Sequence, residues 1–112
     1  MEIKSVCAVV VTHNRKVLLK RCLHSICQQS YPVDCIIVVD NCSTDNSHQY
    51  ITSELKFLNN NNLIWKRLTS NSGGAGGFYA GINEFIQSKR WEYCWLMDDD
   101  GFPEQTCLEN LM

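Results

Sequence analysis

Four runs of apolar, largely β-branched residues divide the chain, at 6–12, 35–40, 63–68 and 93–97. Each run is nearly continuous rather than alternating, which is the pattern of a strand covered on both faces. Helical stripes lie between them. In the first, Leu18, Cys22 and Ile26 recur every fourth residue, with Leu19 and Leu23 alongside. In the third, Phe78, Ile82, Phe85 and Ile86 share one predicted face. A less regular second stripe, Tyr50, Ile51, Leu55 and Leu58, is predicted to open at Ser43 or Thr44 as N-cap and to end before the polar turn 59–62. Pro103 and Glu104 read as the first turn of a fourth helix. The order β-α-β-α-β-α-β-α predicts an α/β fold with a mainly parallel, helix-covered sheet and right-handed crossovers.

A polar cluster comes after every strand. Thr12, His13, Asn14 and Arg15 follow the first, and Asp40 through Asp45 the second. The stretch Asn-Ser-Gly-Gly-Ala-Gly-Gly (71–77) follows the third, and Asp98, Asp99 and Asp100 the fourth. In a parallel sheet all four loops leave the same edge and converge on one crevice.

Three adjacent carboxylates repel one another and cannot all be buried ionised without a cation or hydrogen-bond donors. A divalent metal at the carboxyl edge of the sheet answers that demand, and points to chemistry on a phosphate-bearing ligand. The competing reading is a solvated turn. Asp40 is placed to accept hydrogen bonds from a base or ribose, or else to cap the next helix. Asn14 and Arg15 are candidates for a base and a diphosphate, with a solvated first helical turn as the alternative for Arg15; His13 is given no role. Four glycines ahead of an amphipathic helix let the backbone approach a ligand, with helix N–H groups aimed at negative charge. The stretch is neither a Walker loop nor the dinucleotide fingerprint, because Gly74-Ala75-Gly76 is followed by Tyr79 where that pattern wants glycine.

Composition adds bounds. The 112 residues make one small domain, short for a two-substrate enzyme. With a formal charge of −2 and dispersed Lys and Arg, no basic stripe is offered to nucleic acid. Six apolar residues from Val6 to Val11 are too few for a signal core or a membrane span, so a cytoplasmic chain is expected, with the cytoplasmic membrane face as a site for a larger parent protein. Seven cysteines without a Cys-x-x-Cys pair read as reduced, mostly buried thiols rather than a disulfide framework or zinc site.

The segments Val-Val-Val-Thr-His-Asn-Arg (9–15), Val-Val-Asp-Asn-Cys-Ser-Thr-Asp (38–45), Asn-Ser-Gly-Gly-Ala-Gly-Gly-Phe (71–78) and Leu-Met-Asp-Asp-Asp-Gly-Phe-Pro (96–103) occur in that order. Together they resemble the nucleotide-binding half of inverting family 2 glycosyltransferases with the GT-A fold, a family of cell-wall and polysaccharide biosynthesis. The glycine-rich stretch is most similar to the galactofuranosyltransferase- and rhamnosyltransferase-like branch. The resemblance implies that Thr12, Asn14, Arg15, Asp40 and Asn41 hold the nucleotide, and that Asn71, Gly74 and Gly76 lie near the diphosphate or sugar. Asp98 and Asp100 map onto an Asp-x-Asp signature that binds Mn²⁺ or Mg²⁺, with Asp98 also near the ribose and Asp99 left free to face the donor sugar.

The same resemblance implies a binding site for a UDP- or dTDP-linked sugar, with transfer to a glycan or glycolipid hydroxyl. It further implies that the acceptor-binding half and the catalytic base lie beyond these residues, so that this chain alone does not transfer sugar. Two alternatives are weighed. One is a non-catalytic nucleotide-sugar-binding module. The other is a haloacid-dehalogenase-type phosphatase, whose Asp-x-Asp-Gly turn Asp98 to Gly101 matches, although that motif normally opens a chain rather than closing it.

Overall fold

The computed structural model describes residues 3–59 and 61–112; Asn60, in the predicted polar turn, lies outside them. Strands β1 (Val6–Thr12), β2 (Cys35–Asp40), β3 (Leu63–Arg67) and β4 (Tyr93–Asp98) form one parallel sheet in the order β3-β2-β1-β4. Every residue of β1 and β2 is buried, as continuous apolar runs in central strands require, while β3 and β4 are edges and only partly covered. β3 ends one residue before the predicted limit, and β4 runs one beyond it, to Asp98.

Helices α1 (Lys16–Cys27) and α2 (Ser47–Glu54) pack on one face. Leu19, Cys22, Leu23 and Ile26 of α1 meet Ala8, Val10, Ile36 and Val38 there. Helix α3 (Gly73–Ser88) covers the other face, over Val9, Val11, Ile37 and Val39. The two-sided arrangement is a consequence of handedness. The chain steps from β1 to β2 to β3 in one direction, then returns past β1 to β4, and right-handed crossovers of opposite direction lie on opposite faces. The reversal leaves a switch point between the carboxyl ends of β1 and β4.

Three helix expectations are corrected. α2 starts at Ser47, not after Ser43 or Thr44, with left-handed Asn46 ahead of it and no side-chain cap, because the polar residues before it bond to the β1 loop instead. α3 begins within the glycine stretch; Phe78 and Phe85 of the expected face pack on the sheet, but the buried positions of the helix are Gly77 and Gly81, and Ile86 is 60% exposed. A Cβ on Gly81 would lie 2.3 Å from Val9 Cγ1, and one on Gly77 2.5 Å from Val11 Cγ1, so the missing side chains set how closely α3 approaches β1.

The last helix, α4, spans Cys107–Leu111 and leaves Pro103 and Glu104 outside it. Buried Gln29, just past α1, explains this. Its Nε2 donates to the Pro103 and Glu104 carbonyls at 3.3 and 2.7 Å, and its Oε1 accepts the Leu108 N–H at 3.0 Å. The side chain satisfies backbone groups that a longer helix would have paired internally. Among the described residues, no helix is long and apolar enough to cross a membrane.

Candidate functional site

Parallel register brings the strand ends level: Thr12 pairs with Asp40, Asp40 with Arg67, and Val11 with Asp98. At the switch point opens a cleft of about 330 Å³ lined by Val11, Thr12, His13, Arg15, Asn41, Asn71, Gly73, Gly74, Asp98 and Asp99. All four polar clusters contribute to its lining, the β2 loop through Asn41 alone.

The acidic turn divides its carboxylates. Asp98 and Asp100 are exposed, whereas Asp99 between them is 2% exposed. Asp99 Oδ2 accepts the Thr12 hydroxyl at 2.9 Å, and its Oδ1 lies 3.3 Å from Arg15 Nη1. Burial pushes the Asp99 carboxyl above its ordinary value, the Thr12 bond and the Arg15 charge pull it back, and Asp98 and Asp100 raise it further. Gly101 N–H closes the turn on the Asp98 carbonyl at 3.0 Å. One oxygen from each of the three carboxylates falls within 4.8 Å of the others. Two exposed carboxylates backed by a third make a hard-oxygen donor set that fits Mg²⁺ or Mn²⁺.

The glycine-rich wall is positioned by Asn41, which is 3% exposed. Its Oδ1 accepts the Ser72 N–H at 3.0 Å, and its Nδ2 donates to the Gly73 carbonyl at 2.8 Å. Asn71 Oδ1 accepts the Gly73 N–H at 2.9 Å. Gly73 has φ +75°, where only glycine is unstrained, and a Cβ on Gly73 or Gly74 would meet nothing within 4 Å. These two glycines border open cleft at the α3 N-terminus, whose N–H groups beyond the bonded Gly73 favour an anion. Gly76 does not line the cleft; a Cβ there would lie 2.6 Å from Ser72, so its smallness serves the helix turn.

Asn14 and Asp40 stand apart from the cleft. Asn14, at φ +52°, donates its N–H to Ser43 Oγ and accepts the Thr44 N–H on Oδ1, locking the β1 and β2 loops together. Asp40 is 2% exposed; its Oδ1 accepts the Ser43 N–H at 2.8 Å, and its Oδ2 faces Trp65 Nε1 at 3.3 Å and Arg67 Nη1 at 3.2 Å. It lines a larger cavity of about 630 Å³ on the β3 side, with His48 stacked on Trp65 at 4.5 Å. Of the predicted site residues that cavity holds Asp40 alone, with both its oxygens bonded within the fold. His13, given no role from sequence, lines the smaller cleft with Nδ1 2.8 Å from the Asn41 carbonyl. Its place between the two candidates Thr12 and Asn14 is the sequence signal that could have marked it.

The model of the family described as Glycosyl transferase family 2 matches residues 7–112. Over 101 residues the chain is 38% identical to galactofuranosyltransferase GlfT1 of Mycolicibacterium smegmatis (strain ATCC 700084 / mc(2)155), covering 90% of this chain and 32% of that protein. It superposes with a TM-score of 0.75 and 27% identity on Staphylococcus aureus TarS 1–349 in complex with UDP-GlcNAc, covering 96% of this chain and 30% of the other. A mannosyltransferase from Pyrobaculum calidifontis, solved with GDP-Man and Mn²⁺, shares the fold with a TM-score of 0.74 at 24% identity, over 92% of this chain and 29% of that one. The chain thus spans about a third of these proteins' length. The parallel sheet matches GT-A glycosyltransferases, and the phosphatase alternative falls with that match. A family match over residues 7–112, joined to an acidic turn and a glycine-opened helix facing each other across one cleft, means that the chain belongs to glycosyl transferase family 2.

Proposed function

We propose that this chain supplies the donor half of a glycosyltransferase that moves a sugar, with inversion, from a UDP- or dTDP-linked donor to a hydroxyl of a glycan or glycolipid. The observation that carries this reading is the single cleft in which Arg15, the α3 N-terminus and the acidic turn converge. An arginine and a row of helix N–H groups suit a diphosphate, and the carboxylates suit the cation that accompanies it. The names of the relatives support the class, since GlfT1 is called a galactofuranosyltransferase and TarS was solved with UDP-GlcNAc.

In this reading Asp98 and Asp100 hold Mg²⁺ or Mn²⁺, which when bound supplies charge stabilisation for the departing diphosphate. Arg15, beside the acidic turn, and the N–H groups of α3 beyond Gly73, across the cleft from it, bind the same diphosphate. The His13 ring, exposed at the cleft, offers a flat surface to the base. Asn41 shapes the glycine wall, and Asp40 and Asn14 hold the loops in place rather than touching the donor. The base that deprotonates the acceptor hydroxyl lies outside these residues, so the chain by itself binds donor without transferring sugar.

Thermal unfolding with UDP, dTDP and GDP, each with EDTA, Mg²⁺ or Mn²⁺, tests this. A ligand at about 100 times its dissociation constant adds roughly 2.7 kcal/mol of stability. UDP or dTDP is expected to raise the melting temperature with metal present, and Asp100→Ala to remove the metal-dependent part. Equal shifts with metal and with EDTA would eliminate the metal bridge. If no nucleotide shifts the transition, the donor-site reading is wrong.

A further inference from the structure

The donor-site reading leaves one carboxylate of the acidic turn without a ligand to hold. Asp99 is 2% exposed, and both its oxygens are engaged within the fold, one by the Thr12 hydroxyl at 2.9 Å and one by Arg15 Nη1 at 3.3 Å. To reach a metal or a sugar it would have to give up one of these partners. Thr12 is itself 2% exposed and sits at the end of a fully buried strand, so that anchor does not move. Arg15 is different. Its side chain is 53% exposed, it borders the cleft, and Asp99 is the carboxylate that faces it. A guanidinium carries five N–H donors in a fixed fork, so one directed at Asp99 leaves others to face the cleft.

We propose that Asp99 is a positioning residue: anchored by Thr12, its carboxylate holds the Arg15 guanidinium over the cleft in the orientation that receives the donor's diphosphate. The assignment rests on the donor-site reading above. Its physical content is preorganisation. A long, half-exposed arginine samples many rotamers, and a partner that holds it beforehand removes that ordering from the binding step. A charge-assisted hydrogen bond to a buried, oriented carboxylate is stronger than one to a solvated carboxylate, where water competes. The alternation along the turn, exposed then buried then exposed, assigns the outer pair Asp98 and Asp100 to the cation and the middle residue to the arginine.

The test compares wild type, Asp99→Asn, Arg15→Ala and the double variant. Asparagine keeps an acceptor for the Thr12 hydroxyl and turns an amide toward Arg15, so it removes the hold with little change of shape. UDP affinity is measured by calorimetry in EDTA, Mn²⁺ affinity by electron paramagnetic resonance without nucleotide, and Arg15 side-chain mobility by NMR on the free protein. Asp99→Asn and Arg15→Ala are each expected to weaken metal-free UDP binding about tenfold, the loss of one charge-assisted contact. The double variant should be no weaker than Arg15→Ala, Mn²⁺ affinity should be retained in Asp99→Asn, and the Arg15 signal should go from restrained to freely rotating.

Additive losses in the double variant would overturn the proposal. So would loss of Mn²⁺ binding in Asp99→Asn with metal-free UDP affinity intact, which would make Asp99 a metal ligand. If wild type binds no UDP, the donor-site reading fails, and Arg15 mobility still decides this assignment: restrained in wild type and released in Asp99→Asn supports it, whereas an Arg15 already free in wild type refutes it.

Discussion

Replacing Gly81 by alanine tests whether absent side chains set how closely α3 seats on the sheet. The added Cβ would lie 2.3 Å from Val9 Cγ1 and 3.1 Å from Val39 Cγ2. Carbon atoms in good contact are about 3.5–4.0 Å apart, so more than an ångström is missing. Val9 is fully buried in a central strand, flanked in register by Ile37 and Leu96, and has nowhere to go. The helix must therefore lift, at an overpacking cost of about 3 kcal/mol, near the top of the usual range. Alanine returns about 1 kcal/mol through helix propensity. The net loss is about 2 kcal/mol, which for a domain of this size lowers the melting temperature by roughly 8 °C. Thermal unfolding followed by circular dichroism measures it. Gly74→Ala, in the same stretch but with nothing within 4 Å of its Cβ, is the control and should unfold at or slightly above the wild-type temperature. Combining Gly81→Ala with Val9→Ala should destabilise by less than the sum of the two, by about 1 kcal/mol or more, because the second change vacates the contested space. A Gly81→Ala protein as stable as wild type would refute the argument.

Gln29→Ala should lower stability by about 2 kcal/mol in chemical denaturation, since the Leu108 N–H loses its acceptor while the Pro103 and Glu104 carbonyls can turn to water. Asp40→Ala should cost roughly 2–4 kcal/mol, by removing a buried acceptor shared by Ser43, Trp65 and Arg67, and should change UDP affinity less than Arg15→Ala does; a variant of unchanged melting temperature that no longer binds UDP would return Asp40 to the ligand. Cys22 is buried, and burial with the nearby carboxylates pushes its thiol up to about 12, so it should not react with a thiol reagent at neutral pH until the chain unfolds; prompt labelling of the native protein at this position would contradict the packing.

The strands were legible in the sequence because burial on both faces leaves little room for polar residues. β1 and β2 therefore appear as uninterrupted apolar runs whose limits match the structure. The edge strands, half covered, drifted by a residue. The convergence of the post-strand loops came from parallel pairing alone, since that topology sends every strand's carboxyl end to one edge. It placed Thr12, Arg15, Asn41, Asn71, Gly74, Asp98 and Asp99 in one cleft without any coordinates. What the sequence could not decide was the direction of each side chain at that edge. Three consecutive aspartates are equivalent on paper; only the Thr12 hydroxyl and Arg15, 87 and 84 residues away in the chain, make the middle one inward and the outer two exposed. Asp40 and Asn41 are likewise neighbours with opposite duties, one bonded toward β3 and the other toward the glycine wall. The glycine stretch hid a similar division, because a missing Cβ serves open cleft at Gly74 and close packing at Gly77 and Gly81. Local pattern reports which residues leave water, whereas the partner each finds there is set by contacts between segments far apart in the chain, which exist only once the sheet has formed.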